Sequence, residues 1–113
     1  MFLIVLPKFL RKKWIFWNAI ALFPFVILKY DYLKYDKILM NHEKIHLRQQ
    51  IELLVLPFYI LYIAHFFFNY LNFNNFYDSY KNIFFEKEAY SNDSNLNYLK
   101  NRKLWAAFQY LKK

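Results

Sequence analysis

The chain has 113 residues, a formal net charge of +8, and neither cysteine nor glycine. Its length predicts one domain, and the lack of cysteine excludes disulfides, thiol nucleophiles and thiolate metal sites. Phosphate-binding loops are disfavoured without glycine. The positive charge suits nucleic acid, an anionic membrane surface or simple solubility.

The first seventeen residues combine an apolar start with a basic and aromatic cluster. Residues 1–6 are too short, and lack the charged region, for a secretory signal. The cluster comprises Lys8, Arg11, Lys12, Lys13, Trp14 and Trp17. Basic residues beside tryptophan at the edge of an apolar segment are typical of a bilayer interface. We therefore expect contact with membrane lipid and no nucleic-acid partner.

Residues 25–30 are rich in β-branched and aromatic side chains and follow Pro24. This pattern predicts a strand at the edge of a sheet, where proline is tolerated. The alternative is a short membrane-inserted helix over residues 14–29, which is below the usual spanning length.

A helix is predicted next, with Asp31 or Asp36 as its N-cap and residue 56 near its end. Pro57 predicts a kink or the start of a new helix. Residues 51–71 are apolar and long enough to cross a bilayer by hydropathy alone.

The predicted helix contains Asn41-His42-Glu43-Lys44-Ile45-His46, a His-Glu-x-x-His motif. Its two histidines are one turn apart on the same face and can bind one ion, which points to Zn²⁺. Glu43 lies about 100° around the helix, where it suits a general base for a water molecule on the metal. The alternative is a chance match on a solvated helix.

Two more helices are predicted after a polar connection over residues 72–78. One starts at Asp78 or Ser79 and ends at residue 92; the other spans residues 96–111 and has a core-facing stripe. The stripe comprises Leu104, Trp105, Phe108 and Leu111. The predicted fold is mainly α, an α+β arrangement with a short edge strand or hairpin, an active-site helix, a downstream glutamate helix and a C-terminal helix.

A catalytic zinc normally has three protein ligands, and the glutamates are the candidates for the third. Glu52 follows His46 by six residues and is about 9 Å further along the helix axis, too far to share one ion. Glu86 and Glu88 lie on a later helix. Glu86 shares a face with Ile83, Tyr90 and Asp93, whereas Glu88 points the opposite way and is expected to face solvent.

The residues His42-Glu43-Lys44-Ile45-His46 and Glu86-Lys87-Glu88-Ala89 together resemble the gluzincin metallopeptidases, in their reduced minigluzincin form and in their membrane-bound branch. The resemblance implies that His42, His46 and Glu86 bind zinc and that Glu43 is the base. Tyr90 stands where the family usually has an aspartate that orients a ligand histidine. Either Tyr90 donates a hydrogen bond to the substrate oxyanion, or another group orients the histidine.

The other polar residues are predicted to lie at the surface, to be buried with a hydrogen bond, or to contact substrate. Gln49 and Gln50 are expected on the helix surface, with contact to substrate or to a ligand histidine as the alternative. Asn41 is expected at the surface, and His65 as a buried, hydrogen-bonded histidine. Tyr98 and Arg102 are candidates for an oxyanion site.

The three ligands also restrict topology. If residues 51–71 crossed a bilayer once, the histidines and Glu86 would lie on opposite sides, and the return segment cannot be exposed to lipid. We therefore expect either a kinked core helix or a surface inserted in one leaflet, with oligomer contacts as a further use of the apolar surface.

The predicted function is a zinc-dependent metalloendopeptidase that hydrolyses a peptide or protein substrate at or near a membrane. The predicted location is the bacterial cell membrane, as an integral or monotopic protein. The strand at residues 25–30 would bind substrate by β-augmentation. One alternative is a non-catalytic, metal-stabilised binding or scaffold protein at the membrane, which a fourth ligand such as His65 or Asp93 would favour. Another is a cationic membrane-active protein with an accidental motif.

Overall fold

A three-stranded sheet forms the N-terminal part of the computed structural model, which describes residues 1–11 and 17–112. Its strands are Phe2–Val5 (β1), Ala19–Leu22 (β2) and Phe25–Leu28 (β3), arranged in the order β1-β3-β2. β2 and β3 form an antiparallel hairpin, and β1 lies parallel to β3. The predicted hairpin is therefore confirmed within a mainly helical fold.

The edge position predicted for the strand after Pro24 is wrong, because β3 is central. Pro24 lies in the turn before β3, so its missing N–H removes no hydrogen bond between strands, and its carbonyl accepts from Phe2 N at 2.9 Å. A membrane helix over residues 14–29 is wrong for residues 19–28, which form β2 and β3. Residues 12–16 of the basic and aromatic cluster lie outside the described residues.

Helix α1, Lys37–Leu53, follows a 3-10 helix at Asp31–Tyr35. Asp36 is its N-cap and accepts a 3.0 Å hydrogen bond from Leu39 N, which decides between the two predicted caps. Leu54 ends the helix with a φ of 65°. Helix α2, Val55–Phe73, then starts afresh, with Pro57 in its first turn, where no intrahelical donor is needed.

The predicted helix up to residue 92 is in fact two helices, Phe76–Lys81 (α3) and Phe84–Asn92 (α4). Asn75 caps α3, rather than Asp78 or Ser79, by accepting a 2.9 Å hydrogen bond from Asp78 N.

The predicted C-terminal helix is also broken, into Tyr98–Asn101 (α5) and a 3-10 helix at Ala106–Lys112. Between them Arg102 is extended, which lets its side chain reach two glutamates, and Trp105 has a φ of 62°. The break turns Leu104 and Leu111 outward and buries Ala106 and Ala107 instead.

Two apolar clusters form the core. The first joins the sheet to α1 and comprises Ala21, Val26, Leu28, Leu33, Met40 and Leu47. The second joins α2 and α4 to the C-terminal 3-10 helix and comprises Phe58, Ile83, Phe84, Phe85 and Ala107. Helix α1 belongs to the first cluster and α4 to the second, and the two helices pack against each other. The predicted metal ligands lie on these two helices.

Candidate metal centre

His42 and His46 on α1 and Glu86 on α4 converge on one point. Glu86 Oε1 lies 3.1 Å from the Nε2 atom of each histidine, and the two Nε2 atoms are 3.2 Å apart. All three residues are buried. The structure thus brings together the three residues that the sequence analysis proposed as ligands, in a group that can hold a metal ion.

Each imidazole is oriented through its Nδ1 atom. Asp93 Oδ2 lies 3.0 Å from Nδ1 of His42, and Gln49 Oε1 lies 2.8 Å from Nδ1 of His46. The amide nitrogen of Gln49 donates to the Phe85 carbonyl and to Glu88, so its oxygen must face His46. Both Nδ1 atoms therefore donate, and the Nε2 lone pairs face Glu86. Gln49 is buried, so the predicted surface position is wrong.

Two imidazole lone pairs and a carboxylate oxygen at these separations repel one another unless a cation lies between them. Without a metal, a proton takes this place. Burial alone would lower the pKa of His46, but the Glu86 carboxylate outweighs it and raises the pKa to about 9. Burial likewise acts to raise the pKa of Glu86, yet the two imidazoles hold it well below its usual range. The chemistry of the donor set therefore fits a bound cation.

Asn41 fixes the segment that carries Asp93. Its Nδ2 atom donates to the carbonyls of Asp93 and Asn95 at 2.9 and 3.0 Å, just after the end of α4. Asn41 is buried, so the surface position predicted from sequence is wrong. The residue before the first histidine thereby holds the partner of that histidine in place.

Glu88 is fully buried, which contradicts the predicted solvent-facing carboxylate. It accepts hydrogen bonds from Gln49, Tyr98 and Arg102. Arg102 also binds Glu52, at 2.7 and 3.0 Å. Tyr98 and Arg102 are thus committed to Glu88, and their predicted role as an oxyanion site is wrong. Glu52 lies outside the ligand group, as the helical rise predicts.

Glu43 is buried beside the ligand group, and its Oε2 atom has no hydrogen-bond partner. Among the described residues it is the one buried side-chain polar atom in this state. Burial raises the pKa of Glu43, although both histidines act to lower it. A buried carboxylate with a free oxygen and a raised pKa is suited to accept and return a proton.

Three tyrosines stand around Glu86 and His42. The Tyr62 hydroxyl donates to Glu86 Oε2, the oxygen that does not face the histidines. The Tyr90 ring packs edge-on against His42 with centroids 4.4 Å apart, and its hydroxyl lies 2.8 Å from that of Tyr80. The group that orients His42 is Asp93 rather than residue 90, which leaves Tyr90 for another role.

Two other singled-out residues have structural contacts. Gln50 is buried and holds the hairpin, since it accepts from Phe23 N at 2.7 Å and donates to the Ala21 carbonyl at 2.9 Å. The surface position predicted for Gln50 is wrong. His65 is half-buried, and its Nδ1 atom accepts a 3.0 Å hydrogen bond from Phe84 N, away from the ligand group.

A cleft of about 870 Å³ opens onto Glu43 and the ligands. Its lining comes from strand β2 and from helices α1, α2, α3 and α4. Because Lys29 N donates to the Asn18 carbonyl, the antiparallel alternation turns the backbone groups of Ala19 and Ala21 away from β3. The Ala21 carbonyl is taken by Gln50 and Tyr59. The backbone of Ala19 is turned toward the outer edge of β2, which borders the cleft.

The chain was compared with protein-family models, with curated proteins and with solved structures. None of the three comparisons found a match. The geometry of the site is therefore what supports any assignment of function.

Proposed function

We propose that this protein is a zinc-dependent endopeptidase in which His42, His46 and Glu86 hold the ion. Zinc takes nitrogen and oxygen ligands at about 2.0–2.1 Å in a tetrahedral arrangement, which places the ligands about 3.3 Å apart. The observed separations of 3.1 and 3.2 Å are close to that value. Three protein ligands at one corner of a cleft also leave a fourth position open.

The choice between a catalytic and a structural ion depends on a fourth ligand. Asp93 contacts the far nitrogen of His42, and His65 accepts from a backbone amide, so neither joins the three ligands. Among the described residues, only His42, His46 and Glu86 form a group of three or more such side chains that could hold a metal ion, with ligand atoms within 4.8 Å of one another. Three ligands favour a catalytic site.

The observation that carries the proposal is the free oxygen of Glu43. A buried carboxylate oxygen without a partner costs stability, and such groups are retained where they serve chemistry. A bound zinc ion would supply a Lewis acid for the scissile carbonyl and lower the pKa of water. Glu43 accepts the proton of the attacking water and delivers it to the leaving amine.

Substrate binding is proposed at β2 rather than at the strand after Pro24. Strand β3 is central, and both of its edges are paired, so it cannot accept another strand. An extended peptide along β2 would pair with Ala19 and pass the Glu43 carboxylate. Tyr90 and Tyr80 line the same cleft, and their linked hydroxyls are candidates to donate to the substrate oxyanion.

Replacement of Glu43 by glutamine tests the proposal. Glutamine keeps the shape of the side chain but cannot take a proton, so cleavage of a quenched peptide library is expected to fall by about 10²–10⁴-fold. Zinc content, measured by mass spectrometry after dialysis, is expected to stay at that of the wild type. Asp31→Asn is the matched control, because Asp31 is exposed in the 3-10 helix before α1.

Unchanged cleavage in Glu43→Gln would refute the role of the base. A protein that retains zinc but cleaves nothing in either form would point instead to the metal-stabilised binding protein.

A further inference from the structure

Helix α2 has an exposed face made almost entirely of apolar side chains. With 100° between successive residues, the exposed positions cover an arc of about 160° along about 22 Å of helix. They are Leu56, Pro57, Ile60, Leu61, Ile63, Ala64, Phe67, Phe68 and Leu71. Tyr70 borders this arc, which we call the α2 face.

Exposure of the α2 face to water is unfavourable. No Asp, Glu, Lys or Arg occurs between Glu52 and Asp78, so the segment lacks the charged residues of an ordinary solvated helix. Leu56 and Leu71 are 70% and 79% exposed. A protein partner normally requires hydrogen bonds and a polar rim, and the α2 face has polar side chains only at its border near the C-terminal end, where Tyr70 and Asn72 lie. The acyl chains of lipids need no hydrogen bonds from the side chains that they contact.

The same helix is long and apolar enough to cross a bilayer by length and composition, and 11% of its most apolar window is buried. Its contacts oppose a crossing. Tyr59 and Tyr62, in the first half of α2, bind the Ala21 carbonyl and Glu86, respectively. A helix that crossed would place the metal ligands at the centre of the bilayer, whereas a helix lying along the surface leaves them above it.

The α2 face and the cleft share residues. Ile63 and Phe67 are exposed on the face and also line the cleft that leads to Glu43. The cleft is lined on this side by Ile63, Phe66, Phe67, Phe76 and Tyr77. The residues that line the cleft on this side therefore suit a substrate with apolar side chains.

We propose that the α2 face lies in one leaflet of an anionic bilayer and that the cleft admits apolar peptide segments directly from that leaflet. The net charge of +8 complements anionic headgroups, and the uncharged α2 face meets the acyl chains. The lipid contact is independent of catalysis, whereas the substrate class rests on the proposed peptidase function.

Binding to vesicles tests the lipid contact. The wild type is expected to co-float with phosphatidylcholine vesicles, and more strongly when phosphatidylglycerol is included. In Leu56→Glu/Ile60→Glu two carboxylates replace exposed apolar side chains outside the core and the cleft. Its partition coefficient is expected to fall about tenfold or more, because two aliphatic side chains no longer enter the acyl region of the bilayer.

Tyr32→Glu/Tyr35→Glu is the matched control. Its residues are 66% and 75% exposed and belong to the 3-10 helix at the far end of α1 from α2. This variant is expected to bind vesicles as the wild type does, apart from a small loss from its two added charges. Circular dichroism and zinc content establish that both variants are folded.

Three outcomes would overturn the lipid contact: a wild type that ignores both vesicles, an equal loss in both variants, or vesicle binding unchanged in the α2 variant. In the last case, loss of a dimer in light scattering would identify a second copy as the occupant of the face.

The substrate class is tested with one apolar peptide, offered either free or anchored in the vesicles. The α2 variant is expected to cleave the free peptide at the wild-type rate and to lose the anchored one. Equal rates on both forms would refute entry from the leaflet. If neither peptide is cleaved by any form, the peptidase function and the substrate class fail, while vesicle binding still decides the lipid contact.

Discussion

Each metal-facing imidazole is held by one acceptor on its far nitrogen, and the two acceptors differ in charge. Asp93 gives His42 a carboxylate, and Gln49 gives His46 a neutral amide whose direction is set by Glu88. Such partners orient the ring and increase the basicity of the nitrogen that faces the metal. Asp93 should therefore contribute to the affinity for the metal although it is not itself a proposed ligand.

Asp93→Asn is expected to weaken zinc binding by about 10–100-fold. The amide keeps the size of the side chain but removes the charge and competes to donate toward His42. Affinity is measured by competition with a chromophoric chelator, and Asp31→Asn serves as the exposed control. Equal affinities in the two variants would show that Asp93 does not support the ligand.

The spacing of the motif, the helical face of Glu86 and the resemblance to the gluzincins together predicted the three converging residues. Asp93 lies on the same predicted helix face as Glu86, seven residues further along the chain. The family pattern points instead to position 90, which is Tyr90 in this sequence. Asn41 and Gln49 were assigned to the surface because the backbone carbonyls to which their amide nitrogens donate lie 36 to 54 residues away in sequence. Local periodicity carries no signal for such contacts.

The C-terminal segment is joined to α1 and α4 by a buried ion network. The Arg102 guanidinium lies between the carboxylates of Glu52 on α1 and Glu88 on α4, and all three side chains are buried. A buried charge that loses its partner is costly, because the pair was already removed from water. Through Gln49, the same network reaches His46.

Arg102→Met is expected to reduce the free energy of unfolding by about 3–5 kcal/mol, since two buried carboxylates lose their cation. Lys103→Met removes a neighbouring positive charge from an exposed side chain. This variant is expected to change the free energy of unfolding by less than about 0.5 kcal/mol. Urea denaturation of the zinc-loaded protein measures both. Similar losses in the two variants would mean that the network contributes little.

The elements were predictable where a local signal fixed them. The Asp36 cap starts α1, and the first four residues of the apolar run at residues 25–30 form β3. The C-terminal helix failed because its apolar stripe implied one continuous helix, whereas the contacts of Arg102 with Glu52 and Glu88 require extended backbone. Strand β1 was missed because its pairing with β3 joins residues more than twenty positions apart.

The ligand group connects the two halves of the core. The histidines belong to α1, which packs on the sheet, and Glu86 belongs to α4, which packs in the aromatic cluster. An ion held by both helices therefore binds the folded chain and not the unfolded one. Such a ligand stabilises by mass action, by about 2.7 kcal/mol at a hundred times its Kd.

Chelation should consequently unfold the protein at a lower temperature. For a domain of this size, a loss of about 2.7 kcal/mol lowers Tm by roughly 10 °C or more. His46→Gln is expected to abolish the difference between zinc-loaded and chelated samples, because one ligand is gone. His65→Gln is the matched control, since the third histidine of the chain binds Phe84 N instead, and it should keep the full difference. Calorimetry with and without chelator measures these shifts; a chelator effect that survives in His46→Gln would place the ion elsewhere.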